Sequence, residues 1–224
     1  MSQFFKPFGD WRVYASVLSA DFLYLGENLK KVSPYVDGMH WDIMDGHYVP
    51  NLTLGPFVIE KARALLPNLW FDVHIMATPS EDIIKLFIDL PIQSLAFHPK
   101  TVKNPLTLIH DLHRKRIQAG FAINLEDDLS VWPLRWLNTI DYFLVMAVKP
   151  GFGGQKFNSK ALQKISFLRR NAVHADILVD GGIVSETAKL SQNAGACGVI
   201  SGQFIFHKTL YEERGKILKN LKAE

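Results

Sequence analysis

Two histidines and two aspartates stand where they could share a metal ion. His40-Trp41-Asp42, Asp72-Val73-His74 and Asp180-Gly181-Gly182 each close a short apolar, β-branched run. Side chains alternate faces along a strand, so His40 and Asp42 point one way and Trp41 the other. If that face looks into a closed barrel, His74 and Asp180 converge on it from other walls. Two imidazoles and two carboxylates then make a four-ligand set suited to a borderline divalent cation. A lone His-x-Asp pattern is usually structural. Four such groups at the ends of three strands are harder to explain that way, because buried charge must be paired or coordinated.

A second constellation is rich in glycine. Pro150-Gly151-Phe152-Gly153-Gly154-Gln155, Gly181-Gly182 and Ser201-Gly202-Gln203 follow three successive apolar runs. Glycine lets backbone approach an anion closely and turn its N–H groups toward it. Any one of these loops is explained by a tight turn, but three neighbours on one face point to phosphate binding. Met44, Met76 and Met146 lie near the same ends, which suggests an apolar, polarizable lining. Ser16 sits on the first run and His98 closes the fourth. His47, His110, His113, His174 and His207 lack such placement and read as loop or helix-surface residues.

These groups need a scaffold that gathers strand ends. Short apolar runs at 13–18, 38–44, 70–76, 94–98, 119–124, 142–148, 176–180 and 198–201 read as buried strands. Segments 25–32, 56–66, 81–90, 105–115, 129–136, 159–171, 185–194 and 210–221 carry apolar residues at helical spacing. Pro56 and Pro105 suit first-turn positions, and Thr78-Pro79-Ser80-Glu81 and Ser185-Glu186 resemble capping segments. Strand–helix alternation implies parallel strands joined by crossovers. Eight units in 224 residues fit an α/β fold, a single (β/α)8 TIM barrel, whose closure leaves no free sheet edge. An open doubly wound sheet is the alternative. No Gly-x-Gly-x-x-Gly follows the first strand, which weakens a dinucleotide-binding version. With no linker or low-complexity tract in view, residues 1–224 read as one domain.

Bulk composition narrows the function classes. Hydrophobic residues at 48% supply a sizeable core, and a net charge of +3 is too modest for a nucleic-acid binder. The single cysteine, Cys197, permits no internal disulfide and reads as a small buried strand residue. No run is apolar enough to span a membrane, so a cytoplasmic protein is expected.

Several stretches resemble the ribulose-phosphate 3-epimerase family. They are Ala15-Ser16-Val17-Leu18-Ser19-Ala20-Asp21-Phe22, and His40-Trp41-Asp42-Ile43-Met44-Asp45-Gly46-His47-Tyr48-Val49-Pro50-Asn51. Asp72-Val73-His74-Ile75-Met76, residues 150–157 and Val179-Asp180-Gly181-Gly182 continue the likeness, which runs over residues 13–206. The resemblance implies a phosphate-binding TIM barrel with one divalent metal on His40, Asp42, His74 and Asp180. Zinc is the first expectation, with iron(II), manganese and cobalt also used in the family. It further implies that Asp42 and Asp180 are the acid/base pair, that Ser16 and His74 lie against the substrate, and that Gly151, Phe152, Gly153, Gly154, Gly181, Gly182, Gly202 and Gln203 cradle its phosphate. A homo-oligomer is expected on the same ground.

The implied reaction is inversion at C3 of a ketose phosphate, D-ribulose 5-phosphate to D-xylulose 5-phosphate. A cation would stabilise the enediolate, and an aspartate on each face would move the proton. D-allulose 6-phosphate is the alternative substrate, and a non-catalytic sugar-phosphate-binding protein is the alternative class. A phosphate-binding decarboxylase ranks lower, because the expected strand cores contain no lysine. Four positions depart from the family pattern: Lys149, Lys100, Leu125 and Gln203.

Overall fold

The computed structural model describes residues 11–172, 174–207 and 210–221. Its strands are β1 (Arg12–Ser16), β2 (Gly38–Met44), β3 (Trp70–Met76), β4 (Ser94–Phe97), β5 (Gln118–Ile123), β6 (Tyr142–Met146), β7 (Asp176–Asp180) and β8 (Gly198–Ser201). All pair in parallel and in chain order, and β1 bonds to both β2 and β8, so the sheet closes into a (β/α)8 barrel. The helices outside it are α1 (Leu25–Val32), α2 (Pro56–Leu65), α3 (Ser80–Lys85), α4 (Pro105–Arg114), α5 (Leu134–Thr139), α6 (Lys160–Asn171), α7 (Ser185–Asn193) and α8 (Tyr211–Lys219).

Strand alternation sorts the core into two layers. Outward residues such as Trp41, Phe71, Val73, Phe121 and Phe143 pack under the helices. Inward residues such as Tyr14, Tyr142, Leu144, Leu178 and Ile200 fill the barrel itself. Parallel register then sets His40 beside Asp72 and Asp42 beside His74, two positions further along each strand.

Two helices are shorter than their sequence pattern. The segment expected to be helical over 81–90 leaves the α-helix after Lys85, and the N–H groups of Leu86, Phe87 and Leu90 bond three residues back. Pro91 follows and disfavours helical geometry at Leu90. The segment expected over 129–136 splits into a 3-10 turn, Leu129–Val131, and α5, because Pro133 lacks the N–H that a continuous helix needs. Pro56 and Pro105 do open α2 and α4. The serines expected to cap do other work: Ser80 donates to the Ala77 carbonyl, and Ser185 bonds to Glu186. At α7 the Thr187 hydroxyl accepts from Val184 N–H instead. Among the described residues no helix is long and apolar enough to cross a membrane.

Candidate metal centre

The four expected ligands meet. His40, Asp42, His74 and Asp180, from β2, β3 and β7, each offer one ligand atom, and these atoms all lie within 4.8 Å of one another. Nε2 of His40 is 3.4 Å and Nδ1 of His74 is 3.6 Å from the same Asp42 oxygen, Oδ1. Both nitrogens are buried without a hydrogen-bond partner. Buried polar atoms are rarely left so. Two orphaned lone-pair donors aimed at two carboxylates fit a divalent cation, and the His/Asp chemistry suits zinc-like ions.

Electrostatics agree with that fit. Burial opposes a charge on Asp42, but His40 and His74 outweigh it and hold the carboxyl well below its usual range. At Asp180 burial and the neighbouring Asp42 charge outweigh His40 and push the carboxyl up to about 7. Burial would lower His40, yet Asp42 and Asp72 carry it well above an ordinary imidazole. His74 goes the other way, lowered by burial. Without a cation, the cluster therefore retains protons that a cation would displace.

His40 and Asp42 are held from behind by side chains. Asp72 Oδ2 lies 2.7 Å from His40 Nδ1, and its other oxygen accepts from Ser94 Oγ and Tyr142 Oη, each at 2.6 Å. Those bonds outweigh the effect of burial and keep Asp72 ionised. Ser16 Oγ donates to Asp42 Oδ2 at 2.9 Å. Asp72 stands in the same His-facing register that the sequence displays. Its bond to Ser94 follows from the β3–β4 register, whereas its bond to Tyr142 of β6 crosses the barrel, which no local pattern reveals.

Above the cluster opens a pocket of about 470 Å³. Its floor holds Asp42, Asp180 and Ser16 with Met44, Met76 and Met146 around them, and its rim carries Gly151, Phe152, Gly153, Gly154, Gly181, Gly182, Gly202 and Gln203. His40 and His74 lie fully buried behind the floor. The strand ends and glycine loops singled out in the sequence thus line one cavity. Gly182 takes φ +65°, and a Cβ there would stand 2.3 Å from the Phe157 amide nitrogen. Only glycine allows that backbone approach beside the first turn of α7, where free N–H groups favour an anion.

The family model described as the ribulose-phosphate 3-epimerase family matches residues 12–206. The chain belongs to that family. Ribulose-phosphate 3-epimerase from Eremothecium gossypii is 34% identical over 202 residues, covering 85% of this chain and 84% of that protein. Its namesake from Bacillus subtilis is 34% identical over 218 residues, covering 95% and 98% respectively. Among solved structures, KGPDC from Streptococcus mutans superposes with a TM-score of 0.67 at 15% identity, over 94% of this chain and 96% of that one. At that identity the superposition speaks for the barrel alone. As a member of the ribulose-phosphate 3-epimerase family, the chain is an isomerase.

The departures from the ribulose-phosphate 3-epimerase pattern settle in distinct places. Lys100 pairs with Asp127 at 2.6 Å, and Asp127 also accepts from Asn124 N–H. Leu125 packs against the outer core. Lys149 is exposed on the pocket rim, and its carbonyl accepts from Gln155 Nε2. Gln203 covers Gly154 so closely that a Cβ there would meet Nε2 at 2.5 Å. None of the four touches a ligand of the cluster. Of the histidines read as surface residues, His47 is exposed, whereas His113 is half-buried and bonds to Asp141 at 2.6 Å.

Proposed function

We propose that the chain interconverts D-ribulose 5-phosphate and D-xylulose 5-phosphate by inversion at C3. The observation that carries this reading is the single cavity that joins a four-ligand His/Asp cluster to three glycine loops. One end of such a cavity suits a cation and the other suits a phosphate, with room between for a short sugar chain.

His40, Asp42, His74 and Asp180 would hold one divalent ion, zinc first. That ion supplies Lewis-acid charge for the anion that develops across C2 and C3. Asp42 and Asp180 act as the acid/base pair. They come from β2 and β7, so they reach the reacting carbon from different walls of the barrel. One takes the C3 proton, and the other delivers a proton to the opposite face. The Ser16 hydroxyl, bonded to Asp42, keeps that carboxylate turned into the cavity.

Gly151, Phe152, Gly153, Gly154, Gly181, Gly182, Gly202 and Gln203 would cradle the phosphate. Gripping that remote group places C3 between the two aspartates. The three methionines supply an apolar wall that excludes water from the carbanion. A second substrate is favoured by one observation. Gln203 and Lys149, which depart from the family pattern, both line the cavity, and D-allulose 6-phosphate is the alternative substrate. Purified enzyme offered both ketose phosphates distinguishes them by kcat/KM. Turnover of neither, with phosphate binding retained, would make the chain a sugar-phosphate-binding protein.

A further inference from the structure

His98 directly follows β4 and covers the far side of His74. It is 2% exposed, and its Nε2 lies 3.0 Å from Nε2 of His74. The other nitrogen of His74, Nδ1, faces Asp42 at 3.6 Å and is the one without a partner. A cation would need that lone pair, and a neutral imidazole carries a proton on only one nitrogen. The proton of His74 therefore belongs on Nε2, aimed at His98. Nε2 of His98 must accept it, so the His98 proton sits on Nδ1, which is buried with no partner. Leaving that N–H unsatisfied carries a cost, yet the ring is held there. Tyr48 stacks on it with centroids 4.6 Å apart, and the Tyr48 hydroxyl accepts from Asn124 Nδ2 at 2.8 Å.

We propose that His98 is a positioning residue that fixes the tautomer and ring plane of His74 for a divalent cation, acting as a neutral hydrogen-bond acceptor. The inference rests on the cluster being a metal centre. It separates the two imidazole ligands by their backing. His40 leans on the carboxylate of Asp72, while His74 leans on an uncharged ring. With Asp42, Asp72 and the half-buried Asp180 already gathered where one divalent ion would sit, a fourth carboxylate at position 98 would lack a counter-charge.

The test compares wild type, His98→Gln and His98→Leu after chelator stripping. Each is titrated with cobalt(II) against a chromophoric chelator, with thermal unfolding followed in parallel. Gln sets an amide oxygen near the place of Nε2, whereas Leu offers no acceptor. His98→Leu is expected to bind cobalt roughly 10–100-fold more weakly and to alter its visible spectrum, with His98→Gln recovering most of the affinity. Equal affinity in His98→Leu and wild type overturns the proposal, as does a loss in His98→Gln as large as in His98→Leu. Ring-nitrogen NMR of the zinc-loaded wild type needs no variant: protons on His74 Nε2 and His98 Nδ1 are expected, and the reverse assignment overturns it. A wild type that binds no cobalt refutes the metal centre itself. Normal wild-type binding with an unaffected His98→Leu refutes only this role.

Discussion

Nδ1 of His40 lies 2.7 Å from Oδ2 of Asp72, and both side chains are wholly buried. The same carboxylate collects hydroxyls from Ser94 and Tyr142 on two further strands. An amide at this position must turn its NH₂ group toward a donor on one side or the other. Asp72→Asn is therefore expected to weaken metal binding by roughly 10–100-fold. It should also lower stability by about 1–3 kcal/mol through the buried donors left unpaired. Chelator competition and thermal unfolding read the two effects separately.

Asp42→Asn and Asp180→Asn should each lower kcat by ~10²–10⁴ at saturating metal. The assay is solvent-deuterium incorporation at C3 of the ketose phosphate. Exchange persisting at the wild-type rate in both variants would falsify the two-aspartate scheme.

The metal-stripped protein should lose stability as the pH rises above neutrality. Asp180 is held up to about 7, so the folded chain binds its proton more tightly than the unfolded chain. Its contribution is full below the usual carboxylate range and disappears as the pH climbs through 7. His40, also raised, acts in the same sense: its contribution is full below an ordinary imidazole value and fades through the raised one. Asp42 is lowered and acts oppositely, with a contribution present above the usual carboxylate range and lost as acid protonates it. His74 and His98, both lowered by burial, act the other way up to the ordinary imidazole range, so the sign is set above it: the stripped protein should melt higher at about pH 7 than at about pH 9, and a divalent ion should stabilise it more at the higher pH. Asp180→Asn should flatten the slope. A melting temperature of the stripped wild type that rises steadily over that span contradicts the assignment.

Gly182→Ala should damage the phosphate end without touching the metal end. The left-handed backbone alone costs about 1–2 kcal/mol for alanine, before the contact with the Phe157 backbone is counted. A raised KM for the sugar phosphate, a lower melting temperature and unchanged cobalt affinity are the expected set.

Lys100→Ala should change little. Its ammonium pairs with Asp127, but the lysine side chain is 67% exposed, and such pairs contribute at most about 1 kcal/mol. An unchanged kcat/KM would show that this departure from the family pattern stays outside the chemistry.

Most of the site was legible because strand alternation is a strict rule. His40 with Asp42, and Asp72 with His74, had to share a face, and the polar ends of the runs marked which end of the barrel was the mouth. Glycine loops were legible for a similar reason, since backbone that approaches an anion excludes side chains. What stays hidden depends on strand register and on contacts across the barrel. That Ser94 and Tyr142 serve Asp72, or that His98 backs His74, follows from which strands become neighbours or face one another. Helices are shorter than apolar spacing predicts where Pro91 and Pro133 outweigh it, because periodicity reports burial and not hydrogen-bond continuity.

Ligands drawn from β2, β3 and β7 have a consequence for biosynthesis. A chain emerging from the ribosome presents His40, Asp42 and His74 long before Asp180, the fourth member of the set. The early trio stands on two of the eight strands, with most of the wall yet to be made. A divalent ion that needs all four groups would be gripped fully only once the seventh strand has docked, and products truncated before it would lack that grip.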